Sequence, residues 1–117
     1  MKLWSFSLTE DERTVLSTGL SSEVTAPLMD APVGRFLVLF HSLAGALLYA
    51  RSTVSIGMLP SGEFTFYEIL GLPPGSLAQD VMVEYDEPSL EVVHIAAVSP
   101  PEIPAEYIRF AERRTIT

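Results

Sequence analysis

Apolar and polar residues alternate from the start of the chain. Over Lys2 to Leu8, Trp4, Phe6 and Leu8 fall on one side and Leu3, Ser5 and Ser7 on the other, the period of two that marks a strand. Thr9-Glu10-Asp11-Glu12 has the spacing of a capping box, in which the Thr9 hydroxyl accepts from the third helical amide and Glu12 reaches back. It predicts a short helix, with Gly19 placed to stop it after Ser17 or Thr18. Leu20 to Gly34 holds Pro27 and Pro32 and has no period. A connection of that length is uncommon inside a domain, so it reads as a functional loop or hides a brief strand near Glu23 to Ala26.

Phe36 to Ala50, FLVLFHSLAGALLYA, has no formal charge and is fenced by Arg35 and Arg51. It is shorter than the roughly 18 to 20 apolar residues of a membrane span, and His41, Ser42 and Gly45 interrupt it. It is therefore expected to be buried in a core. It is either one long helix or a strand followed by a short helix, because an all-apolar run carries no period to separate the two. Asp30 as a cap and Pro32 in the first turn favour a helix, giving one long buried helix over about 34–51.

Thr53 to Leu59 places Val54, Ile56 and Met58 on one side; Phe64 to Leu70 places Phe64, Phe66 and Leu70 on one side. With Pro60-Ser61-Gly62 between them they read as a hairpin. Gly71 to Ser76, GLPPGS, breaks the pattern. Val81 to Asp86 alternates again, and Leu90 to Val98, LEVVHIAAV, favours a second strand through its β-branched residues. A helix starting at Pro88 is the alternative, so 87–98 stays open between strand and helix. Ser99-Pro100-Pro101 ends the element either way. Ile103 to Arg114 spaces Ile103, Tyr107, Phe110 and Ala111 as on a helix with basic residues at its C-terminal end. The sum is an α+β arrangement: an antiparallel sheet of four to five strands with one long buried helix and two shorter helices, in a single domain over 1–117.

Composition narrows the function classes. The formal net charge of −8 argues against nucleic acid, which needs a concentrated Lys and Arg footprint. The absence of cysteine removes disulfides, thiolate metal sites and cysteine nucleophiles. Charged residues make up 19% of the chain, below the roughly 25% norm, so less polar surface is available to cover a monomer and self-association is expected. Met1 to Leu8 ends too early at Glu10, Asp11 and Glu12 for a signal peptide, which leads to the expectation of a cytoplasmic protein.

The chemistry-bearing candidates are few. Asp80, Glu84, Asp86, Glu87 and Glu91 form an acidic segment without the spacing of a calcium loop; it suits a solvated hairpin or a basic protein partner. Glu91 and His94 have the Glu-x-x-His spacing of carboxylate-bridged metal sites, but those need further helical ligands, and no metal or cofactor is expected. His41 and Ser42 are neighbours and point in different directions, so they cannot form a nucleophile–base dyad by themselves. His41, inside the apolar run, is the polar residue that most invites a functional reading, with Tyr49, Tyr67, Glu68 and His94 as companions.

No phosphate loop, dinucleotide fingerprint, zinc-protease helix or nucleophile elbow occurs. The leading expectation is a small acidic interaction module of adaptor, chaperone or inhibitor type, working as a homodimer. The alternative is a small-molecule-binding or catalytic domain whose pocket lies between the central helix and the sheet and uses His41 or His94. No motif decides between enzyme and binding protein.

Overall fold

The alternation in the first strand is the key to the layering. A computed structural model describes residues 2–85 and 93–117, with the backbone alone over 79–85, over 93–95 and at Ala31. Among the described residues the elements run β1 (Lys2–Leu8), α1 (Glu12–Thr18), β2 (Leu28–Ala31), β3 (Gly34–Phe40), α2 (Leu43–Ser55), β4 (Gly62–Leu70), β5 (Leu77–Tyr85), β6 (Val93–Val98) and β7 (Ile108–Ile116). The seven strands form one sheet in the order β5-β6-β3-β1-β4-β7, with β2 paired to β3, and each pairing is antiparallel.

Both faces of this sheet are covered. Phe6, Val38, Phe40, Phe64 and Phe66 pack with Ala46 and Ala50 of α2 on one face. Leu3, Leu37, Leu39, Tyr67 and Ile69 pack with Val15 of α1, Leu20 and Ile103 on the other. Strands buried on both sides read as near-continuous apolar runs, which is why Phe36 to Phe40 carries no visible period. The space beneath α2 is filled with rings. Phe6 lies 5.5 Å from Phe66, 5.7 Å from Phe64 and 6.0 Å from Phe40 by ring centroids, and Tyr49 lies 5.1 Å from Phe40, all within aromatic-pair range.

The expected long helix over 34–51 is instead strand β3 followed by helix α2. Phe36 to Phe40 is aromatic or branched and pairs on both sides, while Leu43 to Ala50 is built of helix formers around one glycine. The helix starts at Ser42, whose Oγ accepts from the Gly45 amide at 3.0 Å. Asp30 caps nothing; it stands opposite Arg35 in the β2–β3 hairpin and accepts from Arg35 Nε at 2.9 Å. The brief strand in the 20–34 connection is β2, placed later than Glu23 to Ala26.

Thr53 to Leu59 is not a strand. α2 runs on to Ser55, and Gly57 at φ +79° ends it: the Gly57 amide donates to Val54 O at 3.1 Å and the Met58 amide to Thr53 O at 2.9 Å. This is the Schellman closure that a glycine after a helix permits. β4 therefore pairs with β1 and β7 and not with 53–59.

The C-terminal segment 103–114 is not the helix that its spacing predicts. Only one turn of 3-10 helix forms, at Ala105–Tyr107, and 108–116 is strand, paired with β4 along its length. Ladder formation with a distant strand overrides the good local helix propensity of Ala, Glu and Arg. Among the described residues the sheet thus has seven strands and not four or five, and two α-helices accompany it.

Other expectations hold in outline. α1 ends at Gly19, whose φ is +112°, but Thr9 does not cap it: residues 9–11 form a 3-10 turn and the Thr9 hydroxyl bonds to Thr65. β5 and β6 form the second antiparallel hairpin, with 93–98 as strand and 86–92 outside the described residues.

Candidate functional site

The sequence candidates do not converge. His41 sits at the bend between β3 and α2 and is exposed, not sealed within the apolar core. His94 is in β6, its backbone opposite Glu84 of β5. Tyr67 and Glu68 are neighbours in β4 and so face opposite ways. Tyr67 is buried among the residues under α1, whereas Glu68 stands opposite Trp4 on the α2 face and pairs with Lys2 Nζ at 3.4 Å. Tyr49 packs on Phe6 and Phe40, also on the α2 face. The sheet therefore separates Tyr67 from Glu68 and Tyr49. Of the acidic segment, Asp80 and Glu84 stand in β5, and Asp86, Glu87 and Glu91 lie outside the described residues.

What the fold does bring together is a polar seam under α1. Ser7 of β1 and Tyr67 of β4, both buried, share a hydrogen bond of 2.8 Å between their hydroxyls, and Ser7 Oγ also lies 2.9 Å from the Leu8 carbonyl. One step along the same face, the Thr65 hydroxyl donates to Glu12 Oε1 at 2.8 Å and lies 2.9 Å from the Thr9 hydroxyl. Since Thr65 gives its proton to the carboxylate, Thr9 is the donor in that second bond. Arg113 of β7 closes the seam from outside with Nε to Glu12 Oε1 and Nη2 to Glu12 Oε2, each at 2.8 Å. Two parallel charge-assisted bonds of this kind fix direction as well as charge.

The electrostatics follow the geometry. The Arg113 guanidinium holds the Glu12 carboxyl below its ordinary range, against the opposing effect of burial, with the Thr65 hydroxyl helping. Burial pushes the Tyr67 phenol up to about 12, outweighing the bond to Ser7. A phenol kept protonated and enclosed is a structural donor, and the seam fastens α1 to the end of the sheet. Ser5, Ser7, Thr65 and Tyr67 carry a sequence signal, polar residues on the inward positions of alternating strands. Glu12 and Arg113 are far apart along the chain and carry none.

Arg113 leads to the second feature, the outer edge of β7. This strand is nine residues long, ends the sheet, and pairs only with β4 among the described residues. Its register slips between Phe66 and Tyr67, leaving Ala111 as a bulge between Phe110 and Glu112. Phe110 is 44% exposed, with the Arg113 guanidinium 4.9 Å from its ring centroid. Arg109, Arg113 and Arg114 together supply three of the chain's seven Lys and Arg residues. Arg114 pairs with Glu112 at 2.7 Å. Arg109 stands opposite Glu68, whose carboxylate goes to Lys2, and makes no ion pair among the described residues.

An open concavity of about 490 Å³ lies between 8–10 and 60–63. A pocket of about 190 Å³ beside the C-terminal half of α2 is lined by Pro27, Leu28, Tyr49, Thr53, Met58 and Leu59, below the roughly 300 Å³ at which small-molecule sites begin. A cleft of about 320 Å³ runs between Thr18–Glu23 and Pro100–Glu102. Among the described residues no three His, Cys, Asp or Glu side chains are grouped to hold a metal, and no helix is long and apolar enough to cross a membrane. No protein-family model matches the chain, and neither a curated protein nor a solved structure matches it.

Proposed function

We propose that this protein is a protein–protein interaction module whose working surface is the outer edge of β7. The observation that carries this reading is a nine-residue terminal strand with a half-exposed phenylalanine as its third residue and no strand on its outer side among the described residues. Such an edge presents a row of unpaired amides and carbonyls, the template that β-strand addition uses, with affinity from main-chain bonds and selectivity from the side chains alongside. Glu12, Thr65 and Arg113 hold this edge against α1, so the surface is a rigid one.

Self-association belongs to the same reading, on a different surface. Pairing β7 with its own copy brings two arginine-rich strands together, which like-charge repulsion opposes. α2 has one charged residue, Arg51, in thirteen, and no acid occurs between Asp30 and Glu63. On a chain of net charge −8, that helix is the surface on which two copies meet without opposing carboxylates.

Peptide display against the immobilised full-length protein, followed by hydrogen exchange with the selected peptides, tests the proposal. The expected result is slower exchange over 108–116. Enrichment of no peptide, or protection elsewhere with 108–116 unchanged, overturns it.

A further inference from the structure

We infer that the β7 edge takes an extended acidic segment of a partner protein, an inference that rests on reading β7 as the working edge. The two ordinary devices that guard a free edge, charge and a bulge, are both present: Arg109, Arg113 and Arg114 line the strand and Ala111 bulges from its ladder. Guarding alone leaves two facts unexplained. An exposed aromatic within the strand works against protection, since it offers an anchor to an incoming chain, and Phe110, the third residue of β7, is exposed with a guanidinium stacked on it. Guarding is also indifferent to sign, whereas β7 is basic on a chain with fifteen acids and seven bases.

The charges available at the edge can be counted from the ion pairs. Arg113 is committed to Glu12 through two bonds, and Arg114 reaches Glu112 within its own strand. Arg109 has no ion pair among the described residues, although its ladder neighbour is a glutamate. Within this acid-rich molecule the strand has a net charge of +2, from Arg109, Arg113 and Arg114 against Glu112. An added strand places its side chains beside those of β7 on the same faces, so carboxylates on the incoming segment meet Arg109 and Arg114, and an apolar residue meets Phe110. Basic strands, including a second β7, are disfavoured by the same contacts, so the charge pattern supplies attraction to one class and rejection of another.

The test uses the full-length protein and two synthetic alternating Val–Thr peptides of equal length, one carrying glutamates and one carrying lysines. The expected result is that the glutamate peptide binds at least about ten-fold more tightly, weakens with rising salt, and slows exchange over 108–116. In Arg109→Gln/Arg114→Gln the preference shrinks about five-fold or more while thermal unfolding stays close to wild type, because Arg113 and its Glu12 bonds are untouched. Equal binding of both peptides with protection of 108–116 overturns the acidic preference and leaves the module reading standing. No binding and no protection overturns both. Protection of 108–116 in the peptide-free protein that grows with its concentration assigns the edge to a second copy and overturns the inference.

Discussion

Replacing Glu12 by Gln isolates the charge that fastens α1 to β7. Glutamine is nearly isosteric and keeps an oxygen for Thr65, so the Thr65 and Thr9 hydroxyls stay satisfied and the change falls on the Arg113 pair. A hydrogen bond to a charged group contributes about 1.5–3 kcal/mol when sheltered, and an exposed pair about 0.2–1 kcal/mol. The Glu12 side chain is 18% exposed and that of Arg113 49%, so solvent screens the guanidinium side. The expected loss lies between these limits, about 1–2 kcal/mol near neutral pH.

The pH dependence fixes the mechanism. Because Arg113 lowers the Glu12 pKa in the folded state from its ordinary 4.5, the contribution is fully present above that value. It is lost as pH falls through the folded-state pKa. Urea unfolding of wild type and Glu12→Gln at about pH 7 and about pH 2.5 should therefore show a stability difference that shrinks towards zero in acid. Urea is required because guanidinium salt screens the pair. A difference that persists unchanged at low pH would refute the reasoning, since the loss would then come from packing. A double cycle with Arg113→Gln should return a favourable coupling at about pH 7 that disappears in acid.

Three further outcomes are expected. Gly19→Ala should be the harsher of two glycine substitutions, because φ is +112° and a Cβ there collides with the Ile103 carbonyl. Gly57→Ala, at φ +79° with open space, should lose only about 1–2 kcal/mol, and thermal melts of the two compare them directly. Tyr67→Phe should cost about 1 kcal/mol by urea titration, since Ser7 keeps the Leu8 carbonyl as partner. In wild type the raised Tyr67 pKa means that its contribution is complete below about pH 10 and lost as pH rises through about 12; ultraviolet titration should show one tyrosine ionising last. Phe6→Ala should cost about 3–5 kcal/mol in the same urea assay, because Phe6 is fully buried among Phe40, Phe64 and Phe66. A loss below 1 kcal/mol there would contradict the ring packing.

Much of the local structure was legible. The alternation of β1, the stop at Gly19, the breaker after β4 and the turn at Ser99–Pro101 follow from periods and from residues with restricted backbones. The candidate site was far less so. His41 interrupts an apolar run, but the run changes from strand to helix there, and the residue at this junction falls outside both buried faces. Ser42 followed three residues later by Gly45 held the junction signal, and Ile56–Gly57 held the end of α2.

Sequence alone determined that this chain builds mostly from short apolar elements with period-two strands, without cysteine chemistry or a basic footprint for nucleic acid. Tertiary structure decided which segments became strands. Ile103 to Arg114 has apolar residues at helical spacing, yet 108–116 is a strand because β4 offers it a ladder along its length. The same pairing brings Arg113 to Glu12 and leaves β7 as an edge strand of the sheet among the described residues. A ladder is a bond between distant segments, and its energy depends on which strand lies alongside, so no local pattern could have announced it.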